Sequence, residues 1–390
     1  MLPALLEGAR SGENRFYVQF GGQGNSFLKE MQILYERPEL AGFFDVCFEA
    51  IEHCLNRPDV REEFDRFYPR GFPLKQWLEK TVRPHDDDLY LCTITFAGNQ
   101  ITQLGSYVAA VLGGYTPEAF YPHVSSGTGH SGGLQAAVFS ALGLEGKDML
   151  EAVYRFIVWY TIAGFHSQRA YGFPAVPADV MESIVAVERE APRPMSVVTG
   201  PTTQELQEYV DLFNASGPYE AFPVRISLIN TDRINVLTGH AADLARFRLH
   251  YLSLFEERKY SWNFVNVSIP FHRPDTMGPA IHDFFADVAC RSFPYRGSDL
   301  KFPVHSFYDG KDLREMDRLG EFLADVMMSM PLYWDRSLRG LLEDPTITHV
   351  LDFGPGKVTT ILTRTILEER GRSAELLSAV GRAGLRKILE

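Results

Sequence analysis

Gly129-His130-Ser131-Gly132-Gly133 has the form G-x-S-x-G. In a nucleophile elbow of this form a strand ends, the chain turns sharply and a helix begins, which lifts the serine hydroxyl clear of the backbone. The flanks predict that arrangement. Residues 119–124 are a short apolar stretch suited to an incoming strand, and residues 134–144 are rich in alanine and leucine, suited to an outgoing helix. The glycines permit the turn and let amide N–H groups approach a reacting carbonyl. Ser131 is on this reading an acyl acceptor. The same form also occurs in ordinary loops, so its weight depends on the rest of the chain.

Three further stretches bear on it. Phe20-Gly21-Gly22-Gln23-Gly24 follows an apolar run near the N-terminus, Ser268-Ile269-Pro270-Phe271-His272 lies far downstream, and Leu351-Asp352-Phe353-Gly354-Pro355-Gly356-Lys357 lies near the C-terminus. Singly, these read as a tight turn, a core histidine and a strand-to-helix turn. Together and in this order, the four motifs resemble the malonyl/acetyl transferase family that loads acyl carrier proteins. That family carries a G-Q-G turn, a G-H-S-x-G elbow, a late histidine and a terminal G-P-G. The chain looks most like its starter branch, the acetyltransferase domain of the β chain of fungal-type fatty acid synthases. Similar stretches at 71–77, 101–107, 193–197, 226–239 and 304–314 extend the likeness from residue 16 to about residue 363.

Length and composition bound the fold. A chain of 390 residues buries a full core, and alternating helical and strand patterns argue an α/β class. No run of about 18 apolar residues marks a membrane span. Residues 1–15 lack the long apolar stretch of a secretion signal, so a cytoplasmic location is expected. Cys47, Cys54, Cys92 and Cys290 show no metal-ligand spacing and read as buried free thiols. A net charge of −12 argues against a nucleic-acid partner.

Helical spacing predicts helices over 31–56, 89–112 and 150–167, with an irregular charged stretch at 58–73 and a loop at 84–88. From residue 194 the pattern changes to strand Met195–Thr199, helix 202–214, strands 224–230 and Ile234–Thr238, helix 241–256 and strand 263–269. Thr202 with Glu205 three residues on makes a capping box. Strand-helix-strand-strand-helix-strand is a ferredoxin-like unit. The resemblance implies the same division: an α/β-hydrolase-like large subdomain (1–193 and 269–390) with a ferredoxin-like small one (194–268), and a cleft between them.

The resemblance also assigns roles. Ser131 is the expected nucleophile and His272 its base, since an imidazole titrating near pH ~6.5 takes and returns a proton near neutrality. Asp275 lies three residues past the histidine. The resemblance instead orients the imidazole with a backbone carbonyl from the loop before Pro331, around 327–330. Backbone N–H groups of Gln23 and Gly132 are expected to face the oxyanion. His130 supports the elbow, and Asn230 holds the loop near the histidine. Malonyl-selective relatives place an arginine where this chain has Ala163, so a neutral acyl group, acetyl or longer, is expected. The fungal starter domain has a larger polar residue at position 132, so the glycine is expected to widen the acyl pocket.

The expected substrates are an acyl-CoA and the phosphopantetheine thiol of an acyl carrier protein, with no permanently bound cofactor and no metal. Arg364, Arg370, Arg372, Arg382, Arg386 and Lys387 make the C-terminal tail a candidate carrier-docking surface or, alternatively, a solvated amphipathic helix. Other readings stay open: a malonyl-CoA:carrier protein transacylase, a thioesterase-like hydrolase, a patatin-like hydrolase using Asp309 of Tyr308-Asp309-Gly310, or a non-catalytic docking module of a synthase.

Overall fold

The computed structural model describes residues 3–24, 26–217 and 222–390. Among the described residues nine strands form two sheets. The first contains β1 (Phe16–Phe20), β2 (Val124–Gly129), β8 (His349–Asp352) and β9 (Glu375–Ser378), all parallel, in the order β2-β1-β8-β9. Every residue of β1 is buried, as expected of a parallel strand covered on both faces. The helices Cys92–Leu112 and Gly146–Tyr171 pack against each other beside this sheet.

The second sheet contains β3 (Met195–Thr199), β4 (Arg225–Thr231), β5 (Ile234–Thr238), β6 (Ser261–Phe264) and the two-residue β7 (Leu332–Tyr333). Its order is β6-β3-β5-β4-β7. The first four strands are antiparallel, and with helices Thr203–Ser216 and Ala241–His250 they make the ferredoxin-like unit read from the sequence. The capping box forms: Thr202 accepts from the Glu205 N–H, and the Glu205 carboxylate accepts from the Thr202 N–H. Val198, Leu206, Leu237, Leu244 and Phe247 belong to a hydrophobic cluster of this unit, separate from the main core. The fold is thus an α/β large subdomain carrying a ferredoxin-like small one.

Several local expectations are corrected. Residues 119–124 are not a strand. Thr116 caps a short helix at Pro117–Phe120, a 3-10 turn follows, and the strand occupies Val124–Gly129. Residues 58–73 are not irregular throughout, because Pro58–Phe67 is helical. Pro58 sits at a helix start, where its missing N–H costs nothing, and Val60 and Phe64, one turn apart, are its buried face. The helix expected over 31–56 is broken at Pro38, and the one over 241–256 pauses at Tyr251. The tail after residue 364 is not one helix: β9 enters the core sheet between helices Val358–Glu369 and Gly381–Leu389.

Candidate active site

Three glycine-rich turns meet at the C-terminal ends of adjacent parallel strands, where open α/β sheets place their ligands. The G-Q-G turn follows β1, the elbow follows β2 and the G-P-G turn follows β8. They are tied together: the His130 N–H donates to the Phe20 carbonyl (2.9 Å), the Gly21 N–H donates to the Gly354 carbonyl (2.8 Å), and Gln103 Nε2 donates to the Gly21 carbonyl (2.5 Å). Under G-P-G, buried Asp352 accepts from Gln19 Nε2, Thr359 Oγ1, Thr360 Oγ1 and the Gly354 N–H, all within 2.7–2.9 Å.

Ser131 sits at the elbow with φ +50°, in the left-handed region that costs a non-glycine residue energy and concentrates at functional sites. The turn is tight enough that a Cβ on Gly129 would lie 1.9 Å from the Gly133 carbonyl carbon and one on Gly133 would lie 2.5 Å from the Phe20 carbonyl oxygen, so the strand runs into helix Gly133–Ala141 only because both residues lack side chains.

His272 approaches from the loop between β6 and helix Pro274–Ala286. Its Nε2 lies 2.8 Å from Ser131 Oγ, and its Nδ1 lies 2.8 Å from the Met330 carbonyl oxygen. A carbonyl only accepts, so Nδ1 carries the ring hydrogen and Nε2 is left with its lone pair toward the serine hydroxyl. Burial pushes this imidazole down to about 4; the Met330 carbonyl opposes the shift and the neighbouring His130 adds to it. The neutral, proton-accepting form is therefore the resting one. The loop is anchored by the His272 N–H to the Met328 carbonyl (2.7 Å) and by Ser268 Oγ to Gln168 Oε1 (2.6 Å).

The other expected residues fall into two groups. His130 donates from Nε2 to Asn230 Oδ1 at 2.8 Å, joining the elbow to β4, and burial pushes its imidazole down to about 4. Gln23 ties its side chain to Thr95 Oγ1 (3.1 Å) and lines the cleft. Neither its N–H nor that of Gly132 has a backbone partner among the described residues. Ala163, by contrast, is fully buried and does not line the cleft. The nearby His166 is engaged with Asp287, and Arg169 with Asp283. Gly132 does not widen the cleft as expected, because the space a side chain would take is filled by the Tyr160 hydroxyl.

The cleft over Ser131 has a volume of about 130 Å³. Its far side is the small subdomain, presenting Met195, Val197, Leu228, Val236, Val265 and Val267. Val358 and Thr359 complete the lining. No arginine or lysine is among the described residues lining it. Among the described residues no cluster of His, Cys, Asp or Glu is arranged to hold a metal ion, and no helix is long and apolar enough to cross a membrane.

The two acidic alternatives lie elsewhere. Asp275 pairs with Arg273. Asp309 pairs with Lys311 and lines a different cavity from Ser131. Three contributors were not singled out in the sequence. Met330 acts through its carbonyl, to which any side chain is invisible; the stretch around it was reached only by resemblance. Arg273, fully buried, donates to the Thr238 carbonyl (2.8 Å) and so pins the histidine loop to β5; its position next to the histidine was the available signal. Tyr160 lies on helix Gly146–Tyr171, whose spacing marks a helix and nothing more.

A family described as starter unit:ACP transacylase in aflatoxin biosynthesis matches residues 18–274. The chain belongs to this family. Among curated proteins it is 28% identical to fatty acid synthase 2 of Mycosarcoma maydis, over 97% of the chain and 11% of that protein. It is 26% identical to fatty acid synthase subunit beta of Saccharomyces cerevisiae, over 96% of the chain and 19% of the relative. It is 27% identical to the fatty acid synthase beta subunit aflB of Emericella nidulans, over 96% and 18%. The chain thus spans less than a fifth of the length of these relatives.

Among solved structures, the malonyl-CoA:acyl carrier protein transacylase of Xanthomonas oryzae superposes with a TM-score of 0.66 at 18% identity, covering 97% of this chain and 98% of that one. The acyl-carrier-protein S-malonyltransferase of Bartonella henselae gives 0.67 at 16% identity, covering 96% and 98%. A malonyl-transacylase in complex with a type II acyl-carrier protein gives 0.62 at 18%, covering 96% and 99%. These likenesses carry the fold, α/β with a ferredoxin-like subdomain.

Proposed function

We propose that this chain transfers a neutral acyl group, acetyl or longer, from coenzyme A to the phosphopantetheine thiol of an acyl carrier protein, through an ester on Ser131, in fatty acid or polyketide biosynthesis. His272 Nε2 takes the hydroxyl proton as Ser131 Oγ attacks the thioester carbonyl. The oxyanion faces the N–H groups of Gln23 and Gly132. Collapse breaks the C–S bond, and the imidazolium returns its proton to the departing sulfur. In the second half the carrier thiol gives its proton to Nε2, its sulfur attacks the ester carbon, and Oγ leaves with that proton. The cycle is ping-pong and needs no resident cofactor. The Met330 carbonyl keeps Nδ1 protonated in both halves, so the same nitrogen always faces the serine.

The reading as transferase draws on family membership and on the Ser131–His272 contact. The patatin-like reading loses its acid, since Asp309 faces Lys311. The restriction to neutral acyl groups rests on two observations: no arginine or lysine is among the described residues lining the cleft, and burial pushes both histidines there down to about 4. A malonyl carboxylate would enter without a partner. Leaving a buried charge unpaired costs about 3–5 kcal/mol, or about 10²- to 10³-fold in discrimination. Comparing kcat/KM for acetyl-CoA and malonyl-CoA with a holo-carrier acceptor tests this, and preferred malonyl transfer refutes it.

The acceptor arm must enter at the cleft mouth. There Val358 and Ile361 are exposed one turn apart, flanked by exposed Lys357 and Arg364. Of the tail's basic residues, Arg382 and Arg386 are tied to Glu36 and Glu390, and Arg372 binds backbone carbonyls. The docking surface proposed for an acidic carrier therefore narrows to the first turns of helix Val358–Glu369.

A further inference from the structure

His272 holds its backbone at φ +61°, in the left-handed region that a non-glycine residue keeps only where its surroundings over-determine it. Its own bonds, to the Met328 and Met330 carbonyls, reach a single loop. A further constraint comes through the next residue. Arg273 precedes Pro274, which favours extended backbone, and it has φ −138° and ψ 109°. Its guanidinium suits its own helix badly. It is fully buried, and a cation at the N-terminus of helix Pro274–Ala286 opposes the helix dipole. An arginine at this position needs another reason.

Its donors supply one. Nη1 donates to the Thr238 carbonyl at 2.8 Å, while Nε and Nη2 donate to the two carboxylate oxygens of Asp275 at 2.9 and 2.8 Å. Asp275 also pairs with Arg225 at 3.3 Å, and the guanidinium carbon lies 4.4 Å from the centre of the Phe222 ring. Arg225 and Thr238 face each other across β4 and β5, and Thr238 faces Met195 across β5 and β3. The histidine loop is thus fastened to one rung of the small subdomain's sheet. The far end of that rung, Met195, lines the cleft.

We propose that Arg273 is a positioning residue for acyl transfer: it couples the base to the small subdomain, so that His272 and the cleft wall carried by β3 move as one body over Ser131. This rests on the acyl-serine reading and goes beyond it, since it makes the approach of Nε2 to Oγ depend on a side chain that does not line the cleft. Without the guanidinium, the histidine loop keeps its bonds to Gln168 and Met328 but loses its hold on the sheet. Misplacing a catalytic group by about 1 Å costs about 10²-fold in rate, and a loop that lifts lets water reach the imidazole.

The test is the rate of Ser131 acylation by acetyl-pantetheine, read by rapid-quench mass spectrometry over a range of donor concentration and pH. Arg273→Met removes the donors. It should lower the saturating rate about 10²-fold and leave the half-saturating donor concentration within about twofold, because Arg273 is not among the residues lining the cleft. Its acid limb should rise toward the ~6.5 of a solvated imidazole, making acylation about tenfold slower at pH 5.5 than at its plateau, where the wild type shows no loss. Ser131, the Met330 carbonyl, His130 and the Phe307 ring face that imidazole, and the variant leaves all four in place. Arg273→Lys keeps the positive charge but lacks the fork that spans Thr238 and Asp275. It should lose about tenfold in rate and show the same acid shift, which separates the shift from the lost charge. Either folded variant acylating within about threefold of wild type, or losing rate with its acid limb unmoved, overturns the inference; Arg273 would then serve stability alone. Wild-type Ser131 taking no acyl group would instead overturn the transferase reading beneath it. Should Arg273→Met not fold by circular dichroism, Arg273→Lys decides alone.

Discussion

Lowering the pH probes the electrostatics of the site without changing a residue. Acylation needs the neutral imidazole, so its rate falls as pH drops through the folded-state value of His272. A solvent-exposed imidazole with an ordinary pKa near ~6.5 would be about nine-tenths protonated at pH 5.5, and the rate would drop about tenfold from its plateau. Burial puts His272 at about 4. Some 1.5 units above that, about 97% of the imidazole is still neutral. Acylation at pH 5.5 should then match that at pH 7.5 within a few per cent. Rapid-quench mass spectrometry of Ser131 with acetyl-pantetheine reads this directly, because that donor has no phosphate titrating in the range. An acid limb centred near pH 6.5, in protein still folded by circular dichroism, would contradict a buried, neutral His272. It would mean that His272 meets solvent in the reacting state.

Three further outcomes are expected. His272→Ala should lower Ser131 acylation by about 10²- to 10⁴-fold, the usual contribution of a positioned general base, with folding unchanged by thermal melt; retained activity would return the hydrolase reading with a different acid. Asp352→Ala leaves four buried donors without their acceptor. It should cost at least about 3 kcal/mol in urea unfolding, and an unchanged midpoint would show that the G-P-G turn does not depend on that carboxylate. Lys357→Glu with Arg364→Glu should raise KM for the holo-carrier protein while leaving Ser131 acylation by acyl-CoA alone; an unchanged KM removes the helix Val358–Glu369 from the docking surface.

What the sequence made legible follows from how local each signal is. The elbow is written in five adjacent residues because a side chain on Gly129 would strike the Gly133 backbone and one on Gly133 would strike the Phe20 and Gly21 carbonyls. The ferredoxin-like order was readable because its strands alternate and its first helix carries its own cap. The strand feeding the elbow was misplaced because β2 is Val-Ser-Ser-Gly-Thr-Gly, a composition with little strand propensity. It is a strand because β1 pairs with it along its length, and tertiary pairing overrides propensity. Met330 was reached only as a region, since a carbonyl leaves no trace in side-chain identity. The Tyr160 hydroxyl fills the space beside Gly132, 28 residues away in sequence and in the elbow turn, and no periodicity marks it. Ala163 does not line the cleft, and the absence of arginine and lysine from the described lining residues is a property of two subdomains that only the fold brings face to face.

On the proposed mechanism Ser131 carries an uncharged acyl group between two thiols with His272 as its base. Incubating the protein with acetyl-CoA, removing excess donor and recording intact mass before and after adding a holo-carrier protein tests it most directly. The expected result is a single acetyl adduct that maps to Ser131, is absent in Ser131→Ala, persists in buffer and moves to the carrier thiol. No adduct, an adduct retained in Ser131→Ala, or one lost to water before any thiol is added would contradict it.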